Sequence, residues 1–395
     1  MPASPYIKQY LMTAGPTPLP PAVSQVQAEP ILYHRAPAFI EVYARCLDRL
    51  KQVVQTENEV LCFSSSGSGG MESAVANLAA AGPALVASCG KFGERWVELN
   101  AAFGAEFAHY DAGWGNRVEP EELERELAEH AGTKVVYATL SETSTGVVND
   151  VQALAEVAHA AGAIIVIDAV SGLGAVPCPQ DEWDVDVVAA GSQKALMCPP
   201  GLGFASPNER ALELAASTPR GRFYFDWQKT LKGQRKDPPD SPFTPPVSIF
   251  MALDVALGLI EEEGLDNVFE RHRLLGQAAR AAVKALDLSI FGPEDEAANV
   301  VTAINMPEGI DGAKVPKTMR DKYGVTIAGG QNQLKGKIAR IAHTGYFGPF
   351  DILTTLSALE MTLSELGHPL ELGAGVGAAQ GVFLEAGVPA RVAPA

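Results

Sequence analysis

An α/β fold, a mostly parallel sheet with helices on both faces and a smaller second domain, is predicted by three features of the sequence. Strand-like and helix-like segments alternate from residue 59 to residue 204, with connections too long for hairpins, so successive strands must cross over and run parallel. Two β-branched apolar runs, AIIVIDAV and DVDVVAAGSQK, have strand length, and each delivers one charged residue near its end, Asp168 and Lys194. The 395 residues exceed the size at which one hydrophobic core keeps growing, and the pattern changes from about residue 275. A division into an arm (1–20), a large domain (21–260) and a small domain (261–395) follows.

Taken in order, the chain begins with an extended arm, because Pro16, Pro18, Pro20 and Pro21 remove donors and fix φ. PAFIEVYARCLDRLKQVV then reads as an amphipathic helix, with Phe39, Val42, Tyr43, Cys46 and Leu50 near helical spacing. A strand over 59–63 leads into the Gly/Ser turn 64–70 and a helix carrying Met71, Ala74, Val75 and Leu78. A strand, a glycine-rich turn and a helix start make an anion cup: backbone N–H groups converge there and the helix dipole is positive. It is not a Walker A loop, since no Gly-Lys-Ser/Thr follows, and no acidic residue closes a dinucleotide fingerprint.

A strand over 83–88 turns through Gly90 and Phe92 into another helix, and a strand near 107 precedes the acidic helix PEELERELAEH, which reads as a solvated surface element. Residues 134–140 form the next strand and end in the hydroxyl cluster of Ser141, Thr143, Ser144 and Thr145. A helix from about 151 to 161 returns the chain to the Asp168 strand. Asp168 and Lys194 therefore stand at the carboxyl ends of neighbouring strands, the edge where open α/β sheets bind ligands.

Beyond a strand over 201–206 lies a proline-rich segment, 237–246, too long for a plain connection. A helix from 247 to about 263 bridges the domains. ANVVTAINMP, GVTIAGG and IARIAHTG are strands of a smaller sheet, the last carrying Arg340, and GAKVPKTMRDKYG and DILTTLSALEMTLSELG are its helices. The Ala/Gly/Val-rich tail from residue 371 is expected to be partly ordered at most.

The formal charge of −17 disfavours nucleic acid and anionic membrane surfaces, which need clustered Lys and Arg. No apolar run approaches the roughly 20 residues of a membrane span, and the N-terminus lacks a signal-peptide layout, so a cytoplasmic protein is expected. The five cysteines and seven histidines are dispersed without metal-ligand spacing, so no metal is expected.

The segment Gly191-Ser192-Gln193-Lys194-Ala195-Leu196-Met197-Cys198-Pro199-Pro200-Gly201, with Asp168 placed 26 positions before Lys194, resembles the lysine segment of class V aminotransferases. Two further motifs agree: Ser66-Gly67 with Glu72, and Glu142-Thr143-Ser144-Thr145-Gly146. The resemblance covers nearly the whole chain. It implies a fold-type I enzyme with a mostly parallel seven-stranded sheet, a smaller C-terminal α+β domain, and pyridoxal 5′-phosphate as cofactor. Lys194 would anchor the cofactor and move protons; Asp168 would sit against the ring nitrogen and favour its protonated form. Ser66, Gly67 and Ser68 would hold the phosphate, helped by Gln193 and, across a homodimer interface, by Thr244. Phe92, a Trp in many relatives, and Val170 would sandwich the ring, with Thr143 near its phenolic oxygen. Arg340 would fix the substrate carboxylate through paired hydrogen bonds, and the arm would put Gly15 at the mouth. Relatives commonly carry Tyr where Phe243 stands.

These implications amount to a ping-pong aminotransferase. Small residues at the mouth, Ala14 and Gly15, point to alanine or serine as donor and glyoxylate or pyruvate as acceptor. Aspartate or a ureido-amino acid is an alternative donor. A lyase or desulfurase on the same cofactor is disfavoured, because desulfurases of this class usually pair His with the lysine; here Gln193 precedes Lys194 and no cysteine follows Cys198. Intact Asp168 and Lys194 argue against a non-catalytic subunit.

Overall fold

The computed structural model describes residues 7–217 and 221–387. Seven strands form the large sheet: β1 (Leu61–Ser65), β2 (Ala84–Ser88), β3 (Phe107–Asp111), β4 (Val135–Thr139), β5 (Ile164–Asp168), β6 (Val187–Gly191) and β7 (Gly201–Pro207). Their order is β1-β7-β6-β5-β4-β2-β3, and β7 alone runs antiparallel to its neighbours. The central strands β4, β5 and β6 are buried along their whole length, which is why they read as continuous apolar runs rather than alternating ones.

Each face of the sheet has its own core. On one face α1 (Pro37–Val54), with Phe39, Tyr43, Cys46 and Leu50 buried, packs with Leu154 and Ala158 of a later helix, Val151–Ala160, against Ile165 and Ile167. On the other, α2 (Gly67–Leu78) and α3 (Lys91–Ala102) set Met71, Val75 and Trp96 against Val86, Tyr137 and Val166.

The glycine-rich segment 64–70 departs from the expected turn. Ser66 is the N-cap position and Gly67–Gly70 already form the first turn of α2. The reason is contact: a Cβ on Gly70 would lie 2.5 Å from the Phe204 carbonyl, and one on Gly191 would lie 2.8 Å from the Gly67 Cα. These glycines let the helix start directly against the backbones of β6 and β7.

A third core belongs to the C-terminal part. There β8 (Val301–Asn305), β9 (Ala328–Gly329) and β10 (Ile338–Ala342) form an antiparallel sheet in the order β8-β10-β9. The bridging helix Val247–Glu263 ends at Gly264 and continues as Leu265–Ala285, whose Leu275, Ala278 and Ala282 are buried in this core. The arm joins it too: Tyr10–Leu11 pair in parallel with Val325–Thr326, and Met12 is buried there.

The tail holds more structure than its composition indicates. Ala374–Ala386 is a helix that packs on Leu265–Ala285, with Ala379 and Phe383 buried. The buried Glu360 carboxylate accepts from the backbone N–H groups of Gly373 and Val376 and so serves its N-terminus from another helix. Residues 1–6 of the expected arm and 388–395 of the expected tail lie outside the described residues. The helix PEELERELAE is solvated on one side, but its Leu123 and Leu127 are buried.

Candidate active site

Strand β5 ends on Asp168, and the turn after the neighbouring β6 carries Lys194. That turn is held from inside. The Ser192 hydroxyl, fully buried, donates to the Pro199 carbonyl at 2.5 Å and accepts from the Leu202 N–H at 3.3 Å. Met197 adopts φ 54°, a left-handed conformation that a non-glycine residue keeps only where its surroundings enforce it.

Asp168 and Lys194 line one cleft with Phe92, Val170 and Gln193, below the Gly15-Pro16 step of the arm. Lys194 Nζ donates to the Ala14 carbonyl at 2.6 Å and lies 5.9 Å from the centroid of the Phe92 ring. Thr17 fastens the arm on both sides of this contact: its N–H donates to the Gln193 carbonyl at 3.3 Å and its hydroxyl to the Lys194 carbonyl at 2.9 Å.

Neither charged group is at its ordinary pKa. Burial raises Asp168 from 3.8 to about 7, against the opposing pull of the Val170 N–H, which donates to its Oδ1 at 2.8 Å. Burial also lowers Lys194 from 10.5 to about 8, with Asp168 resisting and Arg340 and Arg95 adding to the fall. Among the described residues no cation forms an ion pair with Asp168.

Ser66 and Ser68 line the same cleft. Gly67 lies behind them, where a Cβ would meet the Val170 side chain at 2.6 Å. Gln193 contributes a buried Oε1 with no hydrogen-bond partner.

Arg340 and Thr143 are joined to the cleft indirectly. Arg340 is buried on β10, where its Nε donates to the Gly329 carbonyl at 2.9 Å and its Nη1 to the Thr143 carbonyl at 2.6 Å. The surface ion pair that an isolated strand arginine would make is absent among the described residues. Thr143 is buried with its hydroxyl 3.4 Å from that of Ser171, which lines the cleft. Thr244 is not brought in at all: it is exposed and lines a separate cleft with Ser64, Tyr224 and Phe243.

Two residues escaped sequence reasoning. Glu142 is fully buried and accepts four hydrogen bonds: from the backbone N–H groups of Phe92 and Gly93 at 2.9 Å each, and from the Ser144 N–H at 3.0 Å and hydroxyl at 2.6 Å. Burial pushes its pKa up and these donors oppose that. It ties the start of α3, and so Phe92, to the hydroxyl cluster after β4. Arg95, also on α3, reaches the cleft. Glu142 opens the motif 142–146, which marks the segment but not this carboxylate's role, and nothing in the sequence separates Arg95 from a surface charge on a helix.

Among the described residues no helix is long and apolar enough to cross a membrane, and no group of three or more His, Cys, Asp or Glu could hold a metal ion. Burial raises the thiol pKa values of Cys46, Cys62, Cys89, Cys178 and Cys198.

Residues 9–345 match the family "Aminotransferase class-V". A Synechococcus sp. protein named "Soluble hydrogenase, small subunit" is 42% identical over 95% of this chain and 98% of its own length. A serine–glyoxylate aminotransferase of Methylorubrum extorquens is 34% identical over 96% of each chain. Among solved structures, the ureidoglycine–glyoxylate aminotransferase of Bacillus subtilis superposes with a TM-score of 0.91 at 30% identity, covering 95% of this chain and 98% of that one.

Proposed function

The chain belongs to the class V aminotransferases, a family of pyridoxal-phosphate-dependent enzymes, and we propose that it transfers the amino group of alanine or serine to glyoxylate or pyruvate by a ping-pong mechanism. The observation that carries this reading is Asp168 and Lys194 in one cleft, an acid with no ion pair among the described residues and an amine pushed toward neutrality.

The residues suit the cofactor. Asp168 lacks a cation that a protonated ring nitrogen would supply, and the orphaned Gln193 Oε1 awaits a donor. The first turn of α2, set on bare glycines with Ser66 making no side-chain capping bond, leaves hydroxyl and N–H donors for a phosphate. Bound pyridoxal phosphate supplies an electron sink that acidifies the α-proton of an amino acid.

The chain's own groups do the rest. With pyridoxal phosphate bound, Lys194, whose pKa burial lowers to about 8, would anchor it and would serve as the base that takes and returns the α-proton. Asp168 holds a proton at the ring nitrogen. Phe92 and Val170 would flank the ring, Ser66, Gly67, Ser68 and Gln193 would hold the phosphate, and Thr143, whose hydroxyl lies by that of Ser171, would act near the phenolic oxygen. Arg340 keeps an unshared part of its guanidinium for the substrate carboxylate, and the backbone of Ala14 and Gly15 lies at the mouth, where small residues suit a small amino donor.

Thr244 acts on the phosphate of a second copy in a homodimer. The half-exposed aromatic cluster beside it supports this: Tyr224 stacks on Phe243 at 4.8 Å, and Phe223 is 71% exposed, surface that a monomer would leave in water. Five unpaired cysteines suit a reducing cytoplasm. The domains divide at residue 260.

The test is a panel of amino donors and 2-oxo acceptors, read by the absorbance change of each half-reaction. Turnover with serine or alanine and glyoxylate or pyruvate is expected; preference for ureidoglycine or aspartate would reassign the donor. The name of the Synechococcus relative favours a second reading, a subunit without amino-transfer activity; purified chain that retains no pyridoxal phosphate by mass spectrometry would decide for it.

A further inference from the structure

Arg95 brings a second cation to the cleft, beside Lys194. It lies on α3 just beyond Phe92, with its guanidinium carbon 5.0 Å from the centroid of the Phe92 ring and its Nη1 donating to the Ser68 hydroxyl at 3.0 Å. Several arginines elsewhere are paired, Arg45 and Arg49 with Asp254, Arg210 with Asp184 and Asp186, and Arg271 with Glu263, whereas the buried Arg340 bonds to carbonyls instead. Among the described residues Arg95 forms no ion pair. Asp168, the carboxylate that shares its cleft, feels the Arg95 charge but is not paired with it, and the buried Glu142 already accepts from Phe92, Gly93 and Ser144.

An unpaired guanidinium facing the positive end of a helix is unfavourable unless an anion lies between them. The bond to Ser68 has a second consequence. A hydroxyl that accepts from an arginine has its own proton left to donate, so Ser68 is set to give a hydrogen bond into the cleft.

We infer that Arg95 is a phosphate-recognition residue, orienting Ser68 and holding a fixed positive charge toward a phosphate monoester. The inference rests on the reading of Ser66–Ser68 as the cofactor's phosphate cup. It also gives the aromatic ring at position 92 a second use, as the platform on which Arg95 is stacked.

The test compares pyridoxal phosphate with pyridoxal, which has the same ring and aldehyde and no phosphate, by titrating the apo-protein and following the absorbance of the bound form. Wild type should prefer the phosphorylated compound. Arg95→Met should weaken pyridoxal phosphate by about tenfold or more and leave pyridoxal within about twofold, as expected for losing a charge-assisted contact to the phosphate alone. Inorganic phosphate should compete with pyridoxal phosphate in wild type and less effectively in Arg95→Met. Arg95→Lys, which keeps the charge and loses the fork, should recover part of the preference. An unchanged preference in Arg95→Met, or an equal loss of both compounds, overturns the inference. Ser68→Ala, a smaller change, should show the same selective loss in smaller measure, and no loss there overturns it as well. A wild type without preference would instead refute the phosphate cup itself.

Discussion

The amine of Lys194 is held by the backbone carbonyl of Ala14, 2.6 Å away and 180 residues earlier in the chain. The arm is itself anchored in the C-terminal core through Met12 and the Tyr10–Val325 pairing. The reactive amine thus stands where large sheet, arm and small sheet meet. A change in how the two cores sit would be felt at Nζ.

Gly15 should therefore be intolerant of a side chain. Its φ is 147°, and a Cβ would lie 2.4 Å from Lys194 Nζ. Gly15→Ala is expected to displace either the arm or the lysine and to lower kcat by at least about tenfold, the effect of misplacing a reacting group by about an ångström. The melting temperature should move far less, because the arm's other anchors remain. Lys194→Ala should abolish turnover altogether; steady-state transfer by that variant would remove Lys194 from its assigned role.

The pH dependence of cofactor attachment follows from Lys194. Its folded pKa lies near 8 rather than 10.5, so the neutral amine grows as pH rises through 8 and attachment should level off well below pH 10. Asp168 pulls that pKa upward, so Asp168→Asn should shift the midpoint down. Stopped-flow rates of pyridoxal phosphate binding to apo-protein followed up to about pH 11, past the unperturbed lysine value, should level off above pH 8, and rates still climbing at about pH 10 would show that Lys194 is not desolvated.

Asp168 makes the opposite kind of statement about stability. Its pKa is raised from 3.8 to about 7, so the folded apo-protein binds that proton more tightly than the unfolded chain does. The associated stability is present below pH 4 and is withdrawn as pH climbs through 7. At pH 8 apo Asp168→Asn should be more stable than apo wild type, by a few kcal/mol at most, while the same change should cripple amino transfer. Equal denaturant midpoints for the two apo-proteins at pH 8 would contradict the buried, unpaired acid.

Which parts of this arrangement could be read from the chain has a physical reason. Asp168 and Lys194 announce themselves because one closes and the other follows an apolar, β-branched run of strand length, whereas Gly67 and Phe92 follow less distinctive strands and gain their roles from the resemblance. Arg95 and Glu142 do not announce themselves: one sits on an amphipathic helix, the other in a hydroxyl-rich turn, and the partners of Glu142, Phe92 and Gly93, lie about 50 residues away. The helix Ala374–Ala386 was hidden for a similar reason. Its composition is poor in large apolar residues, and its N-terminus is served by Glu360 from another helix rather than by a local cap. Glycines 67–70 misled in the other direction, since residues that usually loosen a turn here permit a helix to touch the sheet backbone.

Arg340 should report on substrate rather than on cofactor. Its Nε and Nη1 are fixed by the carbonyls of Gly329 and Thr143, and among the described residues no carboxylate pairs with the N–H groups that remain. Arg340→Ala should raise KM for amino donors more than about tenfold, the loss of a charge-assisted pair worth a few kcal/mol, and leave cofactor affinity nearly unchanged. Arg340→Lys should not restore KM, because an ammonium cannot reproduce the two-pronged contact or the bonds to both carbonyls. An unchanged KM in the alanine variant would move the carboxylate site elsewhere.

The last prediction separates Thr244 from the rest of the site. It lies in a different cleft of its own chain, beside Tyr224 and Phe243, so any action on the phosphate must come from a second copy. Dilution to the monomer should then weaken retention of pyridoxal phosphate, and Thr244→Ala should weaken it in the dimer without further effect in the monomer. Mixing two inactive variants, Lys194→Ala and Thr244→Arg, gives the sharper version. In a mixed dimer one site combines an intact Lys194 with an intact Thr244 from its neighbour, so the mixture should regain activity that neither variant has alone. Retention independent of protein concentration, together with no regain on mixing, would leave Thr244 as an ordinary surface residue.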